Sequence, residues 1–549
     1  MSPFLHIQAK MSGKRGVPLC PDGLLIAAVA VLTVLLRCIH LSEQSVWYDE
    51  YITVRFTNAP SLMECLRQQL QWDWHMVPVY HTLEYYTAQW SGGSLVAVRG
   101  LSVLFAAGAA VFLYLIGRRM FGRWAGTVAA VLFAMSPFHI FHGQEIRPYA
   151  LVTLLALCSV YALVRAVSGD GRRWWALHLA ANVLLMWTHL LAAIFLAPAG
   201  LLLLLTGFRK WKRNLGWGVA HIAVILLVLL WIAALQGGME SPKSPPPTGM
   251  ALWADLFHKD TVYLHWVFGA LPLDKTPEEV SPFVNEVLTV QPRFERILAW
   301  VFVAACAFLM IASALRGAKP ETRGGRMNDP QPVHWAAFLL LLFAGPSLIL
   351  FALTWVTHLE LFQARFSIYG SPALYLMAGG AVALLGSQSE SPAARLRLSG
   401  LLRAAVAAAI VALMGVQTVL AVQLPIRQNY LAAAKTLRAE KGPEEKLVAH
   451  NRNTQWLLAY SLGQPAMEIV NADGFEGLCN RTDELLLSGQ PFWVVLTALP
   501  THYQAPADIS GLAEFYTGVL NEVGACYTKR RFLGMQNVYL FHVTAPPGV

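Results

Sequence analysis

Long apolar stretches recur along the first three quarters of the chain, and the polar residues gather between them. Typical runs begin at Gly23 (GLLIAAVAVLTVLL), Val103 (VLFAAGAAVFLYLIG), Leu151 (LVTLLALCSVYALV) and Ala220 (AHIAVILLVLLWIAAL). Each run approaches the roughly 20 apolar residues that cross the hydrocarbon core of a bilayer. Because lipid cannot satisfy bare backbone polar groups, these segments are predicted to be helices. An isolated run could be a buried core helix, but a long series of them favours a polytopic membrane protein.

The pattern predicts about eleven transmembrane helices. The division between the fifth and sixth, near 188–191, is the least marked because turn residues are almost absent there. The connection 42–96 contains two stretches with mixed apolar and polar faces, 60–72 and 78–90, which are predicted to lie as helices at the membrane interface; a solvated hairpin is the alternative. The predicted spans are 23–41, 97–117, 124–142, 147–166, 174–189, 190–207, 217–236, 296–315, 334–356, 367–386 and 402–424.

The pattern changes after about residue 435. Short apolar runs such as KLVAH and FWVVLTAL alternate there with helix-like stretches such as TQWLLAYSLG, which is typical of a small α/β domain. We therefore predict a transmembrane module at 1–426, with outer loops 42–96 and 237–295, and a small soluble α/β domain at 427–549. Cys479 and Cys526 could pair in this domain on an oxidising side of the membrane, and the sequence leaves that open.

The distribution of charged residues predicts the orientation of the chain in the membrane and argues against nucleic acid as a partner. Of the 549 residues, 56% are hydrophobic and only 13% are charged, too few to cover the surface of a soluble protein of this size. The net charge of +9 suggests nucleic-acid binding, but Lys and Arg lie in alternate connections, as the positive-inside rule requires. This places the N-terminus in the cytoplasm and the C-terminal domain outside, in a multi-pass protein of the cell (inner) membrane.

Two adjacent carboxylates follow the first predicted helix. Asp49 and Glu50 lie beside aromatic residues in SVWYDEYITVRF, and carboxylates near lipid are costly without a task. Either could act as a general base toward an acceptor hydroxyl or amine, or ligate a divalent metal. An interfacial aromatic belt with two solvated acids is the alternative. In WDWHMVPVYHTLEYY, Asp73 and His75 are spaced to bind a metal or a metal-bound phosphate, although structural histidines are commoner than ligands.

Two arginines stand at the outer ends of later helices. Glu145 and Arg147 come at the start of the predicted helix 147–166, where a helix N-terminus favours anions. Arg365 precedes the predicted helix 367–386, with Tyr369 shortly after. Arginine is the natural partner of phosphate; an internal Glu145–Arg147 pair and a snorkelling Arg365 are the alternatives. Together these residues describe one extracytoplasmic site suited to a lipid-linked phosphate.

The same residues carry a family resemblance. The run from Val98 to Val167 resembles bacterial relatives of the dolichyl-phosphate-mannose protein mannosyltransferases, a family similar to glycosyltransferase family 39 that includes the aminoarabinose transferases of lipid A. The resemblance covers about 20–390. Its motifs match Asp49-Glu50, Asp73/His75/Pro78, Arg99–Ser102, Arg118–Gly122, Glu145/Arg147/Tyr149 and Arg365/Tyr369/Pro372, in that order.

The resemblance implies a fold of the GT-C type and inverting transfer of a sugar from a polyprenyl-phosphate donor. It implies Asp49 as the catalytic base, with Glu50 beside it, and Arg147 and Arg365 as phosphate binders. Glu145, Tyr149 and Tyr369 would contact substrate. A divalent metal cation, held by Asp73 and His75, is the one cofactor it leaves open. The partners would be membrane lipid, the lipid-linked sugar and a glycan, lipid or protein acceptor, with no nucleic acid.

Two other classes of function account for less of this pattern. A transporter or flippase for a lipid-linked glycan would place ionisable residues near the bilayer midplane, whereas the predicted spans are nearly free of Asp and Glu. A receptor or assembly protein would explain the C-terminal domain but not Asp49, Glu145 and Arg365. Glycosyl transfer accounts for all of these features.

Overall fold

The computed structural model describes residues 21–72, 77–207, 210–235, 303–308, 311, 332–357, 361–384, 392–423, 429–497, 509–532 and 537–544. The outer loop 237–295, most of the predicted helix 296–315, and the predicted metal ligands Asp73 and His75 lie outside these ranges. Within them the chain is mostly helical.

Seven helices of the described ranges are long and apolar enough to cross a membrane, or up to eight if one bent pair is a single span. They confirm the membrane character of the chain, while the predicted count of eleven is neither reached nor excluded. Helices α1 to α14 are Pro21–Cys38, Tyr48–Thr57, Leu62–Trp72, Pro78–Trp90, Leu95–Phe121, Arg123–Met135, Pro137–Gly143, Tyr149–Val167, Arg172–Met186, Leu196–Gly207, Trp211–Leu235, Pro332–Thr357, Ser371–Leu384 and Pro392–Gln423.

The predicted single helix 124–142 is two helices, α6 and α7, bent by 63°. Ser136 has extended backbone angles, and its side chain accepts a hydrogen bond from His139 N, so it caps α7. Pro137 explains the break, since proline lacks an N–H and disfavours helical geometry in the residue before it. Arg37 from α1 donates to the carbonyl oxygens of Phe133 and Ala134 at the end of α6. The prediction of one continuous helix was wrong because Pro137 outweighs the hydrophobic pattern.

Two other breaks interrupt helices of the bundle. Between the predicted helices 174–189 and 190–207, α9 ends at Met186 and a 3-10 helix runs over Leu190–Phe195. The predicted helix 367–386 begins instead as a 3-10 helix at Ala364–Gly370, followed by α13. Irregular backbone at membrane depth is tolerated only where it is buried in protein or lines a water-filled cavity. Both breaks lie beside the predicted site residues.

The described part of the predicted outer segment 42–96 holds three helices, where the sequence predicted two. Leu62–Trp72 and Pro78–Trp90 match the two predicted stretches, and their place at the interface stays a prediction. The additional helix is α2, Tyr48–Thr57, which carries Asp49 and Glu50 in its first turn. Carboxylates in a first turn interact favourably with the positive end of the helix dipole. The acidic pair itself therefore helps to begin this helix.

Residues 430–544 contain a five-stranded mixed sheet of order β2-β1-β3-β5-β4. Strand β1 pairs in parallel with β2 and β3, while β5 runs antiparallel to β3 and β4. Both faces of β3 are buried. Cys479 and Cys526 are free thiols in this structure. The strands are Lys446–Ala449, Val470–Asn471, Phe492–Thr497, Cys526–Phe532 and Val538–Thr544; helices α15 to α18 are Tyr430–Glu440, Arg452–Leu462, Phe475–Leu487 and Ile509–Glu522.

This C-terminal region packs against α2 through aromatic rings. Tyr51 stacks on Trp456 with ring centroids 6.2 Å apart and meets Tyr460 edge-on at 5.9 Å. The backbone N–H of Leu431 donates to Ser45 Oγ at 3.0 Å. Aromatic contacts of this geometry add to the stabilisation from buried area. The helix that carries the acidic pair is thus held from the C-terminal side as well as from the membrane side.

Candidate functional site

Asp49 on helix α2 contacts Arg365, which lies in the 3-10 helix that precedes α13. Asp49 Oδ2 lies 2.6 Å from Arg365 Nη1, although the two residues are 316 positions apart. Their side chains keep 16% and 24% of their surface exposed. This pair therefore joins two residues that the sequence predicted as base and phosphate binder, and it stays accessible from outside the protein.

The guanidinium of Arg365 is oriented by its own segment. Its Nε donates to Gln363 Oε1 at 2.8 Å, and its Cζ lies 5.4 Å from the ring centroid of Phe366. The 3-10 helix that contains Arg365 leads directly into α13. A guanidinium held on one edge in this way presents its other donors in a fixed direction, which suits a two-oxygen ligand such as carboxylate or phosphate.

Glu50 points to another side of α2 and is fully buried. Arg99 donates to both of its oxygens, Nε to Oε1 at 3.2 Å and Nη2 to Oε2 at 3.0 Å. The backbone N–H of Ile146 donates to Oε1 at 2.9 Å. The sequence predicted both carboxylates as catalytic. The structure separates them, because Asp49 faces the accessible pair with Arg365 while Glu50 joins α2 to α5 and to the segment 144–148.

Arg99 also holds the chain that leads into α2. Its Nη1 donates to the carbonyl oxygens of Leu41 at 2.8 Å and Gln44 at 3.0 Å, and Nη2 to that of Ser45 at 3.3 Å. Arg99 is 1% exposed. A buried charge is tolerated when it is both paired and hydrogen-bonded, as here. Arg99 therefore determines where the first turn of α2, and with it Asp49, is placed.

The segment between α7 and α8 contributes Glu145 and Arg147, both buried. Glu145 Oε1 lies 2.5 Å from His142 Nδ1, and its backbone oxygen accepts from Ser102 Oγ at 2.6 Å. Arg147 Nη1 donates to Thr53 Oγ1 on α2 at 3.1 Å. The two residues lie just before α8, which begins at Tyr149 rather than at the predicted residue 147. The structure thus brings Arg147 against the helix that carries Asp49.

Sequence reasoning missed His189, which lies in the break after α9. It is 2% exposed, and its ring centroid lies 6.1 Å from that of Tyr149 and 5.5 Å from that of Phe366. It therefore sits between the segments that carry Arg147 and Arg365. The available signal was a polar Thr-His pair inside an otherwise apolar stretch with no turn residues.

The two predicted tyrosines are core residues in this structure. Tyr149 packs on His142 with ring centroids 5.0 Å apart, and Tyr369 meets Phe195 edge-on at 5.9 Å. Both are at most 1% exposed. Their rings hold the segments around Arg147 and Arg365 in place, and direct contact with a substrate stays a prediction for both.

A third buried acid lies on α4. Glu84 is 1% exposed, and its Oε2 lies 3.1 Å from His81 Nδ1. Burial raises the pKa of Glu84, while the hydrogen bond and charge of His81 oppose that rise. This pair lies on the helix that follows Asp73 and His75.

Residues 78–231 match the family described as dolichyl-phosphate-mannose-protein mannosyltransferase. The predicted family resemblance is confirmed. The matched segment contains Arg99, Glu145, Arg147 and His189, whereas Asp49 and Arg365 lie on either side of it. No curated protein matches this chain in sequence.

Solved structures of similar shape are distant in sequence. ArnT from Cupriavidus metallidurans bound to undecaprenyl phosphate is 13% identical, with a TM-score of 0.47, over 94% of this chain and 97% of that one. The Archaeoglobus fulgidus oligosaccharyltransferase with Zn and sulfate is 14% identical, with a TM-score of 0.46, over 82% and 62%. The arabinosyltransferase EmbB from Mycobacterium smegmatis is 13% identical, with a TM-score of 0.39, over 83% and 45%.

Within the described ranges, no group of three or more His, Cys, Asp or Glu side chains is arranged to hold a metal ion. The predicted ligands Asp73 and His75 lie outside those ranges. Oxygen and imidazole ligands are suited to a divalent cation. A metal at Asp73 and His75 stays a prediction.

Proposed function

We propose that this protein is an inverting glycosyltransferase that moves a sugar from a polyprenyl-phosphate donor to an acceptor of the cell envelope. The observation that carries the proposal is the accessible Asp49–Arg365 pair, at 2.6 Å. A general base and a phosphate binder must lie within one substrate length of each other, and this pair combines both types of group. The match of residues 78–231 to a mannosyltransferase family supports the same class of reaction.

In the proposed reaction, Asp49 accepts the proton of the acceptor hydroxyl or amine. The acceptor atom forms a bond to the anomeric carbon from the face opposite the phosphate. The bond from that carbon to the phosphate oxygen breaks, and the polyprenyl phosphate leaves with the electron pair. Arg365 stabilises the charge that develops on the departing phosphate, because its fork can bind two oxygens.

The buried groups have supporting roles in this proposal. Glu50 and Arg99 place the first turn of α2, so we assign Glu50 a positioning role rather than a direct one. Arg147 contacts the same helix through Thr53 and would add positive charge on the phosphate side. A divalent cation at Asp73 and His75 would neutralise phosphate charge when bound.

The donor would reach the site through the membrane. Asp49 follows α1, Glu145 precedes α8 and Arg365 precedes α13, and contacts to α2 connect all three segments. The positive-inside pattern puts these helix ends on the extracytoplasmic face, in the cell (inner) membrane. The acceptor would be a protein, lipid or glycan on that face.

A transfer assay tests the proposal. Purified protein in detergent is incubated with membrane lipid extract and an extract of envelope acceptors, and each polyprenyl-phosphate sugar is followed by mass spectrometry. Wild type should consume one donor, and Asp49→Asn should lower the rate about 100-fold or more, as expected on loss of a general base. Asp22→Asn is the matched control, because Asp22 forms an ion pair of the same length, 2.6 Å, with Arg118 elsewhere in the protein.

Two results would contradict the proposal. If folded wild type consumes no donor but moves labelled lipid-linked glycan across vesicle membranes, the protein is a transporter. If Arg365→Lys keeps full activity and an unchanged donor KM, the assignment of Arg365 to the phosphate is wrong, because lysine cannot reproduce the two-donor fork.

A further inference from the structure

We infer that the Asp49–Arg365 ion pair is a latch, which the phosphate of the donor opens by taking the place of the Asp49 carboxylate on Arg365. This inference rests on the proposed function and adds an order of events to it. In the structure Arg365 Nη1 donates a hydrogen bond to Asp49 Oδ2 at 2.6 Å. The group proposed as base and the group proposed to bind phosphate therefore engage each other.

The chemistry of the guanidinium makes the exchange possible. Carboxylate and phosphate are the two anions that match the arginine fork, and both bind it through paired oxygens. Both side chains of the pair are partly exposed, so a ligand can reach them. An incoming phosphate brings its own negative charge to Arg365, so the exchange replaces one ion pair by another and never leaves the arginine without an anion.

Gln363 keeps the arginine in place during the exchange. Its Oε1 accepts from Arg365 Nε at 2.8 Å, on a different edge of the guanidinium from Asp49. Gln363 is itself anchored, because its backbone N–H donates to the Leu361 carbonyl oxygen and its own carbonyl oxygen accepts from Phe366 N, each at 3.0 Å. We assign Gln363 as a positioning residue that holds Arg365 in the open state of the latch.

The exchange imposes an order on the reaction. Asp49 is engaged by Arg365 until the donor phosphate arrives, so the base becomes available to the acceptor only when a donor is present. After transfer, the product polyprenyl phosphate still occupies Arg365, and the latch closes again when that phosphate leaves.

Binding of a lipid phosphate tests the latch without any need for turnover. The probe is farnesyl phosphate, with farnesol as the control for the tail alone, titrated into full-length protein in detergent by calorimetry. Asp49→Asn should bind farnesyl phosphate about fivefold more tightly than wild type, which is about 1 kcal/mol. Arg365→Gln should bind it at least tenfold more weakly, Gln363→Ala should weaken it a few fold, and Asp22→Asn should match wild type. Farnesol should show none of these differences.

The double variant Asp49→Asn/Arg365→Gln separates a latch from simple repulsion between Asp49 and phosphate. A latch requires Arg365, so the double variant should bind no better than Arg365→Gln; a gain that persists there indicates repulsion and overturns the latch. If Arg365→Gln weakens binding while Asp49→Asn leaves it unchanged, the latch is wrong and the phosphate site stands. If neither variant changes binding, phosphate does not bind at Arg365 and the proposed function loses its support as well. Should Arg365→Gln fail to fold, Arg365→Met, which also removes the charge, takes its place in every arm.

Discussion

The buried pair between Arg99 and Glu50 offers the sharpest test of how the site is built. The perturbation is Arg99→Met, which keeps a side chain of similar length but removes the charge. It removes both hydrogen bonds that Arg99 donates to Glu50, which is fully buried. It also removes the donors to the carbonyl oxygens of Leu41, Gln44 and Ser45.

The expected magnitude follows from burial. Removing one partner of a buried ion pair costs about 3–5 kcal/mol, because it strands the other charge in a low-dielectric interior. Glu50→Gln keeps the shape and strands the arginine instead, although backbone carbonyls still surround that arginine, so we expect about 2–3 kcal/mol. In the double variant neither charge remains. The loss should therefore be smaller than the sum by about 2 kcal/mol or more.

The assay is unfolding of the detergent-purified variants, followed by circular dichroism during titration with denaturing detergent. The matched control is Arg118→Met, since Arg118 pairs with Asp22 while 46% exposed, and its loss should cost at most about 1 kcal/mol. Activity of Arg99→Met should fall together with order in α2, measured as faster hydrogen exchange of residues 48–57. The reasoning is refuted if Arg99→Met is as stable as Arg118→Met, or if the two single effects simply add.

Three further outcomes are expected. Burial lowers the pKa of His450 to about 4. The unfolded chain binds that proton below about pH 6.5 and the folded chain does not, so the free energy of unfolding should decrease as the pH is lowered, by about 2 kcal/mol from pH 7.5 to pH 5. Hydrogen exchange of strands β1 and β3, corrected for intrinsic rates, measures the fall, and His450→Gln should remove most of it. Gly379→Ala would push a methyl group into a backbone carbonyl of α6, whereas Gly345→Ala meets open space. Only Gly379→Ala should therefore destabilise the protein, by about 1–3 kcal/mol in the free energy of unfolding, and lower its melting temperature. Trp456→Ala removes the ring stacked on Tyr51 and should make both α2 and the C-terminal region more sensitive to protease. Unchanged cleavage would show that this contact does not hold the two together.

Composition and periodicity determined the class of the protein and the approximate place of most helices. The physical reason is that a bilayer imposes one length and one polarity on every spanning segment, so the signal is local and strong. Residue type at the helix ends was enough to name Asp49, Arg147 and Arg365 as candidate site residues. Arginines and carboxylates are costly beside lipid, and a short list of tasks accounts for them.

The breaks in helices needed more than the hydrophobic pattern. Pro137 marks the 63° bend between α6 and α7, but a proline within a transmembrane segment does not always end it. The break before His189 carries no turn residue at all, and neighbouring segments decide it. Helix α2 escaped the pattern because three of its four buried residues, Glu50, Thr53 and Thr57, are polar, so the sequence shows no apolar face.

Which carboxylate faces the site was decided by tertiary structure alone. Asp49 and Glu50 are neighbours in sequence and chemically alike, so no local rule tells them apart. On a helix, consecutive residues point about 100° apart. Arg99 and the Ile146 N–H lie on one side of α2, and Arg365 lies on another. The sequence supplied the charged residues, but only packing that brings together residues 316 positions apart gives Asp49 its arginine and leaves Glu50 inside the protein.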